Sequence, residues 1–184
     1  MSSTNPTKPN TTPPSADASA AQPTITTIEI QKEYLHFSSA HFTLFSATDR
    51  ENLHGHNFQV GAEIEAEVDE TGLCFDYNLI KTALRDICNE LDEQMLLPQH
   101  SPWLRLESNN THIIAHFNGE AIYFLNRDAM TLPVRNITVE ELAGWILARV
   151  RNAPSVRDLP IRKLLIRVAS GADQWARSVW ESDS

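Results

Sequence analysis

The chain has 184 residues, of which 41% are hydrophobic, and carries a formal net charge of -9 at pH 7. This length and apolar content suffice for one hydrophobic core and fall short of two ordinary domains. The acidic balance disfavours nucleic acid and membrane partners, because both bind a basic face. No apolar run approaches the roughly 20 residues that span a bilayer, and no secretory signal is evident, so we expect a cytoplasmic protein.

The N-terminal residues 1–24 consist almost entirely of Ser, Thr, Pro, Ala and Asn. Few of these side chains can offset the entropy lost when a backbone becomes ordered, so we predict a disordered tail. The rest of the chain, residues 25–184, is predicted to form a single domain. Its first strand is predicted from residue 26 to about residue 42, followed by a polar loop that ends near residue 52.

The clearest strand signal covers residues 54–68, where apolar and polar side chains alternate from Phe58 onward. A turn and a short strand over residues 73–76 are predicted next. A helix then follows, with Asn78 as its N-cap and apolar residues spaced as one buried stripe up to Leu91.

In the second half of the chain, an Asn-Gly pair lies between two apolar segments, residues 112–117 and 121–125. This pair predicts a β-hairpin. Thr138 followed by Glu141 has the spacing of a capping box and predicts a second helix. A closing strand is predicted over residues 161–168, and Trp175 beyond it is interpreted as a packing residue.

Three histidines form the main candidate site. His54 and His56 stand two residues apart in a predicted strand, so their side chains share one face with the apolar Phe58. Two imidazoles in a partly buried place lose hydration and repel each other when protonated, unless a metal ion takes up their lone pairs. His41 lies near the end of the preceding strand, where hairpin pairing could bring it opposite them.

Three neutral imidazoles with an open fourth position are typical of a catalytic zinc site. Iron or nickel also suits three imidazoles, although the ligand geometry favours zinc. The alternative is that the His-Gly-His segment is a turn with solvated histidines.

Five segments resemble, in chain order, sequence blocks of the 6-pyruvoyl-tetrahydropterin and 6-carboxytetrahydropterin synthase family. They are residues 37–41 (FSAAH in the family), 54–58 (HGHNY), 72–77 (GMVxDF), 91–96 (LDHxxL) and 138–143 (TxExLA). The resemblance implies an α+β tunnelling fold, with an antiparallel β-sheet that carries two helices on one face. Subunits of this fold close into a β-barrel and usually stack as a hexamer.

The resemblance also implies an activity. Zn²⁺ bound to His41, His54 and His56 would serve a lyase reaction on dihydroneopterin triphosphate or a related pterin. Sites in this family lie where neighbouring subunits meet, so a homo-oligomer would be required for function.

The expected catalytic base departs from the family pattern. Most members place a cysteine four residues before the His-Gly-His segment, where this chain has Arg50. The adjacent Glu51 instead gives the spacing Glu-x-x-His-Gly-His, which resembles a subgroup that uses glutamate as the base and forms 6-hydroxymethyl-dihydropterin for folate synthesis. A carboxylate near the metal could serve as a general base if partial burial raised its pKa. The alternative is that Glu51 is a loop carboxylate.

Other expected site residues are only partly preserved. The aspartate of the family's Asp-His relay is present as Asp92, which is the second acid-base candidate. Thr138 and Glu140 match residues that help to hold the pterin ring, although an N-cap role also explains Thr138. The family's pterin-anchoring glutamate would fall near residues 169–170, where this chain has no carboxylate. Either Glu140 suffices, or the substrate differs.

The sequence therefore predicts a zinc-dependent pterin lyase. Two alternatives remain open at this stage. One is a 6-carboxytetrahydropterin synthase of queuosine biosynthesis, which the missing cysteine at position 50 disfavours. The other is a non-catalytic, zinc-containing oligomer that binds a pterin.

Overall fold

The structure is a computed structural model that describes residues 24–183. The predicted tail lies outside these residues, except for Thr24, which begins the first strand. The tail and the single domain over residues 25–184 therefore stay predictions. Across residues 24–183, no helix is both long and apolar enough to cross a membrane.

The described residues form nine strands and two helices. In chain order these are β1 (Thr24–His41), β2 (His54–Val68), α1 (Asn78–Leu91), β3 (Met95–Pro98), β4 (Arg105–Ser108), β5 (His112–Phe117), β6 (Glu120–Leu125), β7 (Ala129–Leu132), α2 (Val139–Asn152), β8 (Ile161–Gly171) and β9 (Gln174–Glu181).

Six of these strands form the main sheet, in the order β7-β3-β1-β2-β8-β9. The strands β1, β2, β8 and β9 pair antiparallel, whereas β3 runs parallel to both β1 and β7. Parallel strands need a long connection, and the connection from β1 to its parallel neighbour β3 contains both β2 and α1. The predicted α+β fold with two helices is confirmed, and its sheet is mixed rather than wholly antiparallel.

Both helices cover the same face of the main sheet and contribute to one hydrophobic core. The inward positions of β2 are buried from Phe58 to Ala66, where apolar residues alternate with outward positions that are polar or glycine. The buried members of this core include Phe58 and Ile64 from β2, Ile80 and Leu84 from α1, and Leu142 and Ile146 from α2. Burying each such side chain stabilises the fold by about 1.5–3 kcal/mol.

The remaining strands, β4, β5 and β6, form a separate antiparallel sheet beside a second apolar cluster. The predicted hairpin is confirmed, since Asn118 and Gly119 both adopt positive φ, at 47° and 81°. Positive φ at both central residues is the conformation of a type I′ two-residue hairpin turn.

Three local predictions were wrong. Residues 73–76 form no strand, because the Asp69 side chain accepts hydrogen bonds from the amides of Thr71 and Leu73 and holds the backbone in a turn. Asn78 is the first helical residue rather than the N-cap, and its amide donates to Asp76 Oδ1. The final strand is also followed by β9, which the prediction lacked.

Candidate metal centre and active site

The β1–β2 hairpin brings the three histidines together. His41 pairs directly with His54 across the two strands, and His56 follows two residues later on the same face. One ring nitrogen from each histidine lies within 4.8 Å of those of the other two. These are the residues that could hold a metal ion.

Backbone carbonyls fix the protonation of two of these rings. His41 Nδ1 lies 2.9 Å from the carbonyl oxygen of Ile137, and His54 Nδ1 lies 2.8 Å from that of Asn52. Because a carbonyl only accepts hydrogen bonds, each Nδ1 must carry the proton and donate, which leaves a lone pair on each Nε2. His54 Nε2 also lies 3.1 Å from His56 Nε2. The ring nitrogens of the three histidines are therefore close enough to bind one cation.

The surroundings of His41 show whether the three histidines suit a metal ion. Its side chain is buried, and its Nε2 has no hydrogen-bond partner among residues 24–183. Burial, together with His54 and His56, lowers the pKa of His41 to about 4, so the ring is neutral near pH 7. A buried unsatisfied nitrogen costs about 1–3 kcal/mol, which a divalent cation would offset. The residues present therefore fit a metal ion.

Glu51 stands beside this centre in the loop between β1 and β2. Its Oε2 lies 3.9 Å from His54 Nε2 and accepts a hydrogen bond of 2.9 Å from the Thr43 amide. Burial acts to raise the pKa of Glu51, but the hydrogen bonds from Thr43 and the nearby His54 and His41 outweigh it and lower the pKa. The upward shift expected from partial burial is absent. Glu51 is therefore ionised at neutral pH, as a proton acceptor must be.

A cavity of about 650 Å³ opens over the histidines and Glu51. The start of α2 and the β8–β9 hairpin complete its wall, and the residues that they contribute include Thr138, Glu140, Ser170, Asp173 and Trp175. Both predicted substrate-binding residues, Thr138 and Glu140, therefore share one cavity with the three histidines.

Thr138 and Glu140 differ in how free they are to bind a ligand. Thr138 Oγ1 accepts a hydrogen bond of 3.4 Å from the Glu141 amide, which makes it the N-cap of α2. The Glu140 side chain is exposed and makes no hydrogen bond or ion pair within the described part of the chain. The Glu140 carboxylate is thus available to a ligand, whereas the Thr138 hydroxyl is already engaged.

Asp92 is not brought to this cavity. It follows the last turn of α1, where its Oδ1 accepts a hydrogen bond of 2.7 Å from the Ser38 amide. This contact ties the end of α1 to β1. The catalytic role of Asp92 therefore stays a prediction.

Sequence reasoning missed the part of the cavity wall formed by the β8–β9 hairpin. Asp173 and Trp175 line the cavity because β9 folds back along β8. The signal for β9 was weak, since its outward face mixes Trp175, Arg177 and Val179. The interpretation of Trp175 as a packing residue did not anticipate this position.

Comparisons with known proteins show the family of the chain. The family described as 6-pyruvoyl tetrahydropterin synthase matches residues 29–178. A candidate 6-carboxy-5,6,7,8-tetrahydropterin synthase of Pyrococcus abyssi is 29% identical over 129 residues, which cover 68% of this chain and 77% of that protein. A similarly described protein of Pyrococcus horikoshii is 28% identical over 134 residues, covering 72% of this chain and 78% of that protein.

Solved structures share the fold. A Plasmodium vivax 6-pyruvoyltetrahydropterin synthase, with a catalytic glutamate replaced by alanine, superimposes with a TM-score of 0.80 at 23% identity. The Plasmodium falciparum enzyme gives a TM-score of 0.79 at 25% identity. Each comparison covers 86% of this chain and 99% of the other. Because the family match spans most of the sequence, the chain belongs to the 6-pyruvoyl tetrahydropterin synthase family of pterin lyases.

Proposed function

We propose that this protein is a zinc-dependent lyase that cleaves the side chain of dihydroneopterin triphosphate, or of a related pterin, to give 6-hydroxymethyl-dihydropterin. The observation that carries the proposal is the Glu51 carboxylate, 3.9 Å from His54 Nε2 in a cavity shared with the three histidines. The glutamate described as catalytic in the Plasmodium vivax enzyme supports a glutamate base on this fold.

The metal would be held by His41, His54 and His56 through their Nε2 atoms. When bound, it would act as a Lewis acid that makes a side-chain hydroxyl of the substrate easier to deprotonate. The carbonyls of Ile137 and Asn52 keep two of the imidazoles in the ligating tautomer. The Thr43 amide holds the Glu51 carboxylate in place.

Glu51 would take the proton from the second side-chain hydroxyl of the pterin. The carbon–oxygen bond at the second carbon then becomes a carbonyl, while the bond between the first and second side-chain carbons breaks. The electron pair of the broken bond passes to the first carbon and the conjugated ring. Return of a proton to the first carbon completes the hydroxymethyl group, and the other fragment leaves as an aldehyde. Glu51 is suited to both proton transfers, because it faces the cavity and is ionised before the reaction.

The test is incubation of zinc-loaded protein with dihydroneopterin triphosphate, followed by chromatography and mass spectrometry of the pterins. We expect 6-hydroxymethyl-dihydropterin from the wild type. We expect Glu51→Gln to lose activity at least 100-fold while it retains zinc, since general-base catalysis contributes about 10²–10⁴-fold. His54→Ala should lose zinc as well as activity. Full activity of Glu51→Gln would reject Glu51 as the base, and no turnover by the wild type would favour the non-catalytic pterin binder.

A second candidate is the 6-carboxytetrahydropterin synthase reaction, because the curated relatives from Pyrococcus are described with that activity. Position 50 argues against it. Arg50 packs its guanidinium over the Phe42 ring at 5.0 Å and donates a hydrogen bond to the Glu51 carbonyl, so it offers no base. A carboxylated product in the same assay would assign the protein to this second reaction.

We also propose that the protein works as a homo-oligomer, with a hexamer as the expected assembly. The exposed edge strand β9 borders the cavity, and such edges commonly pair with another chain. An assembly that places Asp92 of one subunit near the cavity of another would also restore a catalytic role to that residue. Light scattering after size exclusion tests the assembly, and an active monomer would contradict it.

A further inference from the structure

The cavity contains an aromatic surface with no role in the proposed chemistry. Apart from the histidines, the cavity wall includes two aromatic residues, Phe58 and Trp175. Phe58 is 1% exposed and stacks on Phe37 with ring centroids 4.9 Å apart, so it belongs to the core. Trp175 is 36% exposed. Among these aromatic residues, Trp175 therefore presents the accessible ring.

The Arg167 side chain packs against the indole ring of Trp175. The Arg167 guanidinium lies 5.3 Å from the centroid of the Trp175 ring, a cation–π contact. That guanidinium is itself fixed, because Nη2 donates to Glu29 and Gln31 and the side chain is only 12% exposed. The Trp175 ring is thus anchored before any ligand binds.

The other tryptophan of β9, Trp180, has different packing partners from Trp175. Trp180 lies on the helix-facing side of β9 and carries the Arg151 guanidinium 3.5 Å from its ring centroid. It does not line the cavity with the histidines. The two tryptophans of β9 therefore have different surroundings. Trp175 lines the cavity over the histidines, whereas Trp180 lines a separate cavity beside α2.

Resting on the proposed function, we propose that Trp175 binds the substrate by stacking on its flat, conjugated bicyclic ring. The free Glu140 carboxylate in the same cavity would pair with the donor edge of that ring. Stacking on one face and hydrogen bonding along one edge together orient a planar heterocycle. The reactive side chain of the substrate would then extend towards the three histidines. Trp175 acts in binding and takes no part in proton transfer.

The experiment measures binding of neopterin, an oxidised pterin without phosphates, to the zinc-loaded protein by isothermal titration calorimetry. Stacking on an aromatic side chain is typically lost as about 5- to 150-fold in affinity upon replacement by alanine. We expect Trp175→Ala and Trp175→Leu to weaken neopterin binding within this range, and Trp175→Phe to retain most of it. The matched control is Trp103→Leu, since Trp103 is similarly exposed, at 40%, and lies away from the cavity.

The leucine variant separates stacking from simple filling of space, because leucine is apolar but has no π face. Each variant is first checked for zinc content, oligomeric state and melting temperature, and Trp175→Phe keeps the test valid if the smaller residues disturb folding. In turnover, Trp175→Leu should raise KM with kcat nearly unchanged, as expected for lost uniform binding. Wild-type affinity of Trp175→Leu, or equal weakening by Trp103→Leu, would overturn the proposal.

These outcomes are separable from failure of the proposed function. If the wild type neither binds neopterin nor converts dihydroneopterin triphosphate, the pterin lyase itself is rejected, and the stacking proposal, which rests on it, falls as well. If the wild type turns over the substrate and the Trp175 variants bind as tightly, only the stacking role is rejected.

Discussion

Replacement of Gly61 by alanine tests how the sheet makes room for Arg167. Gly61 lies in the middle of β2, between Gln31 on β1 and Arg167 on β8. A Cβ atom at this position would lie 2.6 Å from Arg167 Nε and 3.3 Å from the Ile30 carbonyl oxygen. The first distance is well inside van der Waals contact, so the Arg167 side chain must move. Its bonds to Glu29 and Gln31 oppose that movement.

The expected loss in free energy of unfolding follows from two opposing effects. Overpacking a closely filled site costs about 1–3 kcal/mol. Alanine regains about 0.5–1 kcal/mol, because glycine loses more backbone entropy on folding. We therefore expect Gly61→Ala to destabilise the protein by about 1–2 kcal/mol, which lowers the melting temperature of a chain of this size by about 2–8 °C. Urea denaturation and thermal unfolding both measure it.

A double-mutant cycle identifies the collision partner. In an Arg167→Ala background the guanidinium is gone, so the additional cost of Gly61→Ala should shrink by at least about 0.5 kcal/mol. Gly144→Ala is the matched control, since its Cβ would meet only Ser178 Oγ at an ordinary 3.7 Å within α2. That helical replacement should stabilise the protein by about 0.5–1 kcal/mol. An equal cost of Gly61→Ala in both backgrounds would refute the steric argument.

Three further predictions address the metal centre, a helix cap and a thiol. Zn²⁺ at about 100 times its Kd should stabilise the metal-free protein by about 2.7 kcal/mol in thermal unfolding, and this gain should vanish in His54→Ala but persist in His112→Ala. Thr138→Ala should cost about 1 kcal/mol in urea denaturation and Thr138→Ser almost nothing, because serine also caps helices; equal losses would contradict the cap. Burial, with a smaller effect of Asp92, raises the pKa of Cys88 to about 12, so mass spectrometry should find Cys88 unlabelled by a thiol reagent at about pH 8 until the protein unfolds.

The parts of the fold that sequence predicted are those set by local periodicity. The alternation in β2 fixed which residues face the core, and the same parity placed His54 and His56 side by side. The strand Met95–Pro98 was missed because it is four residues long and buried at every position, so it carries no alternation. Parallel pairing to β1 and β7 determines such strands, and a single sequence shows no sign of that pairing.

The candidate site divides in the same way. Its metal end comes from the β1–β2 hairpin alone, so the spacing of His41, His54 and Glu51 in the sequence predicts their proximity. Its other end is assembled from α2 and the β8–β9 hairpin, more than 80 residues further along the chain. Long-range contacts bring these segments together: β2 pairs with β8, with Gln59 opposite Ala169, and His41 Nδ1 donates to the Ile137 carbonyl beside the start of α2.

The arrangement of the cavity wall bears on the absence of a carboxylate near residues 169–170. Ser170, near which the sequence resemblance would place a ring-binding carboxylate, lines the cavity. A serine hydroxyl lacks the two carboxylate oxygens that would pair with a donor edge. Glu140 lines the same cavity and has no partner within the described residues, so the cavity still contains an available carboxylate. Loss of the carboxylate on β8 is therefore compatible with binding of the same ring, provided that the ring is oriented by the start of α2 and held against Trp175.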